Sequence, residues 1–193
     1  MRGKEYRLCE TAFLAERIDY TGGELRSHFI RERSGIETDG VIAFMGSCSV
    51  SGKSLVDLED AAEGSTIIGS MMLHFIGEHF QAPLREGNVR LRLFASIVKE
   101  TLERMAPGVG AVRSGDDLFV NDKKLTVAIC TCSPLSVLFH FGVNVDPAGA
   151  PVTAIGLGDL GVEAKSFAVA VLERYARECE SIELALRKVR GAA

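Results

Sequence analysis

The chain has 193 residues, of which 47% are hydrophobic and 25% charged, and it carries a formal charge of -4. Such a length and mixture predict one globular domain over residues 1–193 and exclude a disordered, collagen-like or low-complexity chain. A pI near 5.6 leaves no broad basic face for neutralising phosphates, so there is no strong nucleic-acid signal, although a local basic groove stays open.

Residues 1–9 alternate charged and apolar groups and lack the apolar core of a signal peptide. No run of about 18 apolar residues follows, so a soluble, cytoplasmic protein with no membrane segment is expected. The cysteines, five in number and without framework spacing, read as thiols of a reducing compartment. Residues 22–33 put Leu25, Phe29 and Ile30 on one stripe, which predicts a short amphipathic helix ending at Gly35. A buried strand is read over 41–45 and a polar glycine-serine loop over 46–54. That loop resembles a phosphate-binding P-loop, but five residues separate Gly46 from Gly52, where a P-loop has four. It reads as a surface loop, or as a phosphate contact within another architecture.

Asp57, Glu59 and Asp60 form an acidic cluster within a stretch, 55–60, read as loop or strand. The cluster is solvated, or a divalent-ion site if folding brings it to Asp116 and Asp117. Residues 65–79 read as a helix capped by Ser65 or Thr66, with Ile68, Met71, Met72, Phe75 and Ile76 on its apolar face. On a helix His74 and His79 would lie about 140° apart, which excludes the paired histidines of a helical zinc protease. Core or capping roles are expected for both, unless His74 approaches His140. A further helix is capped by Asn88, carries Val89, Leu93, Phe94, Ile97, Val98, Leu102 and Met105, and stops at Pro107-Gly108. Arg90 and Arg92 lie off its apolar stripe, towards solvent or an anion.

Asn121-Asp122 separates the run 117–120 from the run 125–129, with residue types that tolerate positive φ, and predicts a β-hairpin. Alternation in its second strand puts Lys124 with Thr126 on the polar side. Another strand over 136–145 has Val137, Phe139, Phe141 and Val143 on one face and His140, Gly142 and Asn144 on the other, so Lys124 and Asn144 are expected to share a sheet face. Cys130 and Cys132 point the same way, about 7 Å apart, as packing residues beyond disulfide reach. Gly156 to Gly161 matches GxGxxG literally, but the strand before it is short and no βαβ unit follows, so a turn-strand-turn is expected. The final helix, 164–189, spaces Ala168, Leu172, Tyr175, Cys179, Ile182, Leu186 and Val189 as a heptad-like seam that packs on the sheet and leaves room for a homodimer contact.

Gly115-Asp116-Asp117-Leu118, Lys124-Leu125 and Gly142-Val143-Asn144-Val145 resemble the catalytic core of the biotin and lipoate protein ligases. There an Asn-Asp-leucine stretch leads to a hairpin strand bearing the catalytic lysine, and a later strand ends in a Gly-x-Asn element. Over the whole chain, Val56-Asp57-Leu58-Glu59-Asp60, Met72-Leu73-His74-Phe75-Ile76 and His140-Phe141-Gly142-Val143-Asn144 resemble an uncharacterised family, domain of unknown function 366. That family is similar in fold to these ligases and to the class II aminoacyl-tRNA synthetases. The resemblance implies an α+β fold, a mixed, mainly antiparallel sheet flanked by helices, which the clustering of strands in mid-chain also favours. It implies that Lys124 matches the ligases' catalytic lysine, Asp117 their aspartate and Asn144 their later asparagine. Asp116 stands where they have asparagine, Val127 replaces a small residue, and their glycine-arginine-rich loop has no counterpart.

Activating a carboxylate with a nucleotide builds negative charge that a fixed ammonium stabilises, which suits Lys124 as the catalytic residue. Arg113 can bind a carboxylate or phosphate bidentately, Asn144 and His140 can orient substrate, and Asp116 and Asp117 can hold magnesium or ribose. The expected function is an adenylate-forming ligase or acyltransferase acting on a small carboxylate, with ATP and Mg as its cofactors. The alternative is a non-catalytic protein that keeps the pocket to bind a nucleotide or acyl compound; apart from either function, Lys124 reads as an exposed strand residue beside a solvated acidic turn. A metal hydrolase built on His74, Glu78 and His140 is a third reading.

Overall fold

The computed structural model describes residues 8–192; the expectation for the first residues falls almost wholly outside them. In chain order the elements are β1 (Glu10–Arg17), α1 (Phe29–Ser34), β2 (Gly40–Ser51), α2 (Leu58–Glu63), β3 (Thr66–Phe80) and α3 (Leu84–Met105). Then come β4 (Val112–Ser114), β5 (Asp117–Val120), β6 (Lys123–Lys124), β7 (Thr126–Cys132), β8 (Ser136–Asp146) and α4 (Ala164–Arg187). A five-stranded sheet runs β1-β2-β3-β8-β7, parallel only between β1 and β2, and a small sheet runs β4-β5-β6. The mixed, mainly antiparallel sheet with flanking helices is the expected α+β arrangement.

The main departure is β3, expected as a helix. It is the central strand, with neighbours on both sides, and from Met72 to His79 it is buried on both faces. A strand buried on two faces loses its polar alternation and reads as a continuous apolar run, which periodicity cannot tell from a buried helix. Its glycines were the local sign against a helix, and Gly77 has a packing reason: a Cβ there would lie 2.2 Å from the Phe139 ring. Because side chains alternate along a strand, Met72, His74, Ile76 and Glu78 face one layer, and Leu73, Phe75 and His79 the other.

The second layer beneath the sheet is α3 with α4, where Phe75, Phe94, Phe139, Phe141, Phe167 and Tyr175 are all buried. His79 belongs to this layer, its Nδ1 3.1 Å from Asp39 and its Nε2 2.9 Å from the Tyr175 hydroxyl. On the opposite face α1 covers one end of the sheet through Phe29 and Ile30, which pack with Ile42, Phe44, Ile76 and Leu138. The rest of that face is left open.

Other boundaries shift for local reasons. The first helix is confined to α1, and it ends as expected on Gly35 at φ 75°. The loop expected over 46–54 is strand as far as Ser51, because Cys48 and Val50 turn inward while Ser49 and Ser51 face water. Gly46 sits where the Ile18 carbonyl would come within 1.8 Å of a Cβ, so the chain after β1 can cross there only over glycine. The acidic stretch read as loop or strand forms α2, with Asp57 as its N-cap, accepting from the Glu59 amide at 2.8 Å and the Asp60 amide at 3.2 Å. Helix α3 starts at Leu84, a turn before Asn88, whose side chain donates back to the Leu84 carbonyl instead of capping; Val89, expected in the core, is exposed.

The turn of the hairpin forms as expected, with Asn121 at φ 50° and Asp122 at φ 60°, but beyond the turn only β6 pairs with β5, Phe119 opposite Lys124, while the run 125–129 expected as the second strand passes into β7 beside β8. Thr126 is not on an exposed polar side: it is fully buried, and its hydroxyl accepts from the Leu118 amide at 2.8 Å. Strand β8 has the predicted faces. The glycine-rich segment after it turns back to bridge Lys124 at Ala154, and Gly156 packs against the Val145 carbonyl rather than cradling a dinucleotide. Along α4 the seam is buried at Ala168, Leu172, Tyr175 and Cys179, but Leu186 is 66% exposed, and Val189, 72% exposed, lies beyond the helix end at Arg187. Among the described residues no helix is long and apolar enough to cross a membrane.

Candidate functional site

The uncovered part of the sheet face forms the floor of a cleft of about 700 Å³, a size suited to a small-molecule ligand. Its apolar floor is built from Met72 on β3 and Val127 and Ile129 on β7, with Tyr20 and Cys48 beside them. At one end Asn144 of β8 meets Lys124 of β6. The Asn144 amide donates to the Leu125 carbonyl at 2.9 Å, and its side-chain Nδ2 donates to the Lys124 carbonyl at 3.2 Å. Strand register alone fixes this meeting, since β8 runs past the point where β6 passes into β7.

The Lys124 ammonium lies 2.8 Å from an Asp117 carboxylate oxygen, a diagonal pair across the hairpin. Burial holds the Asp117 carboxyl above the usual carboxylate range, against the pull of the Lys124 charge. A second pair, Arg92 of α3 with Asp116 at 3.5 Å, lines the same end. The cleft therefore carries two cations, each held by its own carboxylate, with a half-exposed guanidinium and a partly covered ammonium.

At the other end the floor is aromatic. Tyr20 stacks flat on His140, ring centres 3.8 Å apart and planes 8° apart. Behind them His74 is wholly buried, its Nδ1 3.0 Å from His140 Nε2. Burial pushes the His74 pKa down to about 4 and that of His140 well below the ordinary histidine value, while it raises the Tyr20 phenol. Both imidazoles are neutral at physiological pH.

Residues 9–190 match the family described as Domain of unknown function (DUF366). The chain belongs to this family. It is 33% identical over 183 residues to the uncharacterized protein MJ0805 of Methanocaldococcus jannaschii, covering 91% of this chain and 82% of that protein. A solved protein of unknown function from Pyrococcus horikoshi superposes with a TM-score of 0.89 at 34% identity, covering 96% of this chain and all of that one. The biotin protein ligase from Aquifex aeolicus, solved in complex with biotin and ATP, superposes with a TM-score of 0.56 at 16% identity, over 91% of this chain and 71% of that one. The fold of this DUF366 chain is thus similar to that of the biotin and lipoate protein ligases.

The stretches that carry the DUF366 resemblance converge here: Asp57 and Asp60, Met72, and His140 and Asn144 all line the cleft. Of the residues expected at the site, Lys124, Asn144, His140, Asp116 and Asp117 are brought together. Arg113 is not. It lies exposed on β4 with its guanidinium on the Gly115 carbonyl, outside the cleft lining. The arginine in the cleft is Arg92, which helical spacing had set only off the apolar stripe of α3. Tyr20 gave no sequence signal, because it is an isolated aromatic in an irregular segment. Ser54, from the P-loop look-alike, also lines the cleft.

A metal fits this donor set poorly. Asp116 and Asp117 are taken by Arg92 and Lys124, and Asp57 is taken by the first amides of α2. Among the described residues no three His, Cys, Asp or Glu side chains are grouped to hold an ion. His74 and His140 do approach each other, but Glu78 is bound elsewhere, accepting from Ser136 at 2.7 Å and from the His28 amide. The metal-hydrolase reading therefore lacks its third ligand.

Proposed function

We propose that the cleft activates a small carboxylic acid by joining it to ATP, as an adenylate-forming ligase does, before the acyl group passes to an acceptor. The observation that carries this reading is the meeting of Lys124, Arg92 and Asn144 at one end of a floor that is otherwise apolar. A carboxylate oxygen of the acid bonds to the α-phosphorus while the bond from that phosphorus to pyrophosphate breaks. Negative charge grows on the phosphate oxygens, and cations already fixed in a half-buried cleft stabilise it without reorganising. Asp117 and Asp116 act as the counter-ions that hold Lys124 and Arg92 in place before ligand arrives. The ligase neighbour solved with biotin and ATP supports the choice of substrate class.

The test is carboxylate-dependent exchange of labelled pyrophosphate into ATP, run over a panel of medium-length acids. Exchange is expected, and Lys124→Ala should lower it on the order of 10²-fold. A chain that shows no exchange, and whose melting temperature responds to neither ATP nor any acid, would end the proposal. The close Lys124 to Asp117 pair also favours a second reading, a non-catalytic protein in which the lysine serves only to bind. Stabilisation by an acid or nucleotide with no exchange would select it.

A further inference from the structure

We infer that the cleft is gauged for a slim, unbranched aliphatic acid and turns away one with a ring at mid-chain, because Met72 and Val127 fill the floor where Gly142 leaves room. The inference rests on the cleft being an acid site.

Gly142 stands between His140 and Asn144 on the same face of β8, a strand paired on both sides. A glycine weakens such a strand unless the missing side chain makes room for something, either a ligand or a neighbour. Here the neighbours take the room: His140 and Asn144 line the cleft, whereas Gly142 does not. A Cβ at Gly142 would lie 2.9 Å from Met72 Cε and 3.1 Å from Val127 Cγ2, closer than carbon atoms pack. Met72 meets a second glycine, since a Cβ at Gly69 would lie 2.7 Å from its Sδ. Residues three apart on a strand ordinarily face opposite sides, but β3 carries an extra residue here, with Gly69 and Met72 opposite Cys48 and Gly46 of β2. Met72 therefore lies flat along a trough of two glycines, as an unbranched thioether can and a branched side chain cannot.

Met72 is 1% exposed, so the surface that a ligand meets is Val127, partly exposed on β7 directly opposite Gly142. Val127 is branched at Cβ and held in one rotamer, so it does not swing aside. Two residues at the strand rise set Gly142 about 7 Å from Asn144. An acid whose carboxylate meets Lys124 and Asn144 therefore passes Val127 at mid-chain. A methylene chain lies along the valine methyls, whereas a ring at that point collides with them. The cleft of about 700 Å³ has to hold acid and nucleotide together, so height lost at the floor is not regained above it.

The test is calorimetric titration with octanoate and with ω-phenylpentanoate, in which a ring replaces the outer carbons of the chain. The unsubstituted chain should bind octanoate roughly tenfold tighter. Val127→Ala should tighten the ring acid about tenfold and weaken octanoate about threefold, because it makes room and removes methyl contacts; a general loosening of the fold would weaken both. Gly142→Ala works in the opposite sense. Its backbone is not in the left-handed region, so alanine is allowed, and the new Cβ lifts the Met72 methyl and raises the floor. Octanoate should then bind about fivefold more weakly, and this variant decides alone if Val127→Ala does not fold. Equal affinities in the unsubstituted chain, a ring acid that Val127→Ala does not tighten, or octanoate binding that Gly142→Ala leaves unchanged overturns the gauge while the acid site stands. Binding of neither acid, in the unsubstituted chain or in Val127→Ala, removes both.

Discussion

His74 shows how one buried ring ties the cleft to the stability of the molecule. Its pKa falls from 6.5 to about 4 because burial penalises the charged form, and His140 shifts the same way. With the folded value below the unfolded one, the unfolded chain takes up protons first as pH falls. The stabilisation is fully present above about pH 6.5 and drains away down to about pH 4, an effect on the order of 3 kcal/mol for His74. Groups beside the ring do not offset this: Tyr20, stacked on it, is neutral there, and Asp19 pulls only weakly towards protonation. Urea midpoints measured from pH 7.5 to 4.5 should drop steeply in the unsubstituted chain and more shallowly in His74→Phe. Parallel curves would mean that other groups carry the acid sensitivity.

Among the elements, α2 borders the cleft yet has only six residues and buries none of its side chains, so it depends on its cap more than on packing. Replacing Asp57 by Ala should cost about 1 kcal/mol locally, which is about fivefold faster amide exchange at Glu59 and Asp60 with little change in global stability. Unchanged exchange would show that the loop on either side, not the cap, holds the helix. The same element marks the limit of sequence reading. Asp57 was visible as an acid but not as a cap, since the helix after it is too short for a periodic signal. The hairpin, β8 and the apolar seam of α4 were legible because each buries one face or turns on a residue pair of special φ. Strand β3 was not, because from Met72 to His79 it is buried on both faces, which erases its alternation there. Of the cleft, the parts on legible strands, Lys124, Asn144 and His140, were found. Arg113 lies outside the cleft and Arg92 lines it, because which arginine reaches the hairpin depends on how α3 lies beside it, a contact that no local pattern encodes.

For the whole molecule the decisive fact is that one sheet walls both apolar clusters. Phe75, Phe139 and Phe141 point from β3 and β8 into the helix layer, while Met72, Ile76 and Leu138 point from the same strands to the cleft side. Neither side can lose its packing without exposing the backs of strands that the other still needs, so residues 8–192 should unfold as one cooperative unit. The chain has no tryptophan and three tyrosines, of which Tyr20 reports on the cleft side and Tyr175 on the helix layer. With Tyr6 also replaced by Phe, the fluorescence change on unfolding in Tyr175→Phe comes from the cleft side, and in Tyr20→Phe from the helix layer. Each variant shifts its own stability, since Tyr175 gives up its bond to His79, so the comparison is made within a variant, between its fluorescence and its far-ultraviolet circular dichroism. Coincident midpoints in both variants are expected. A cleft-side transition at lower urea than the loss of secondary structure would divide the chain into two cooperative units and leave the α1 side free to open around a ligand while the helix layer stays closed.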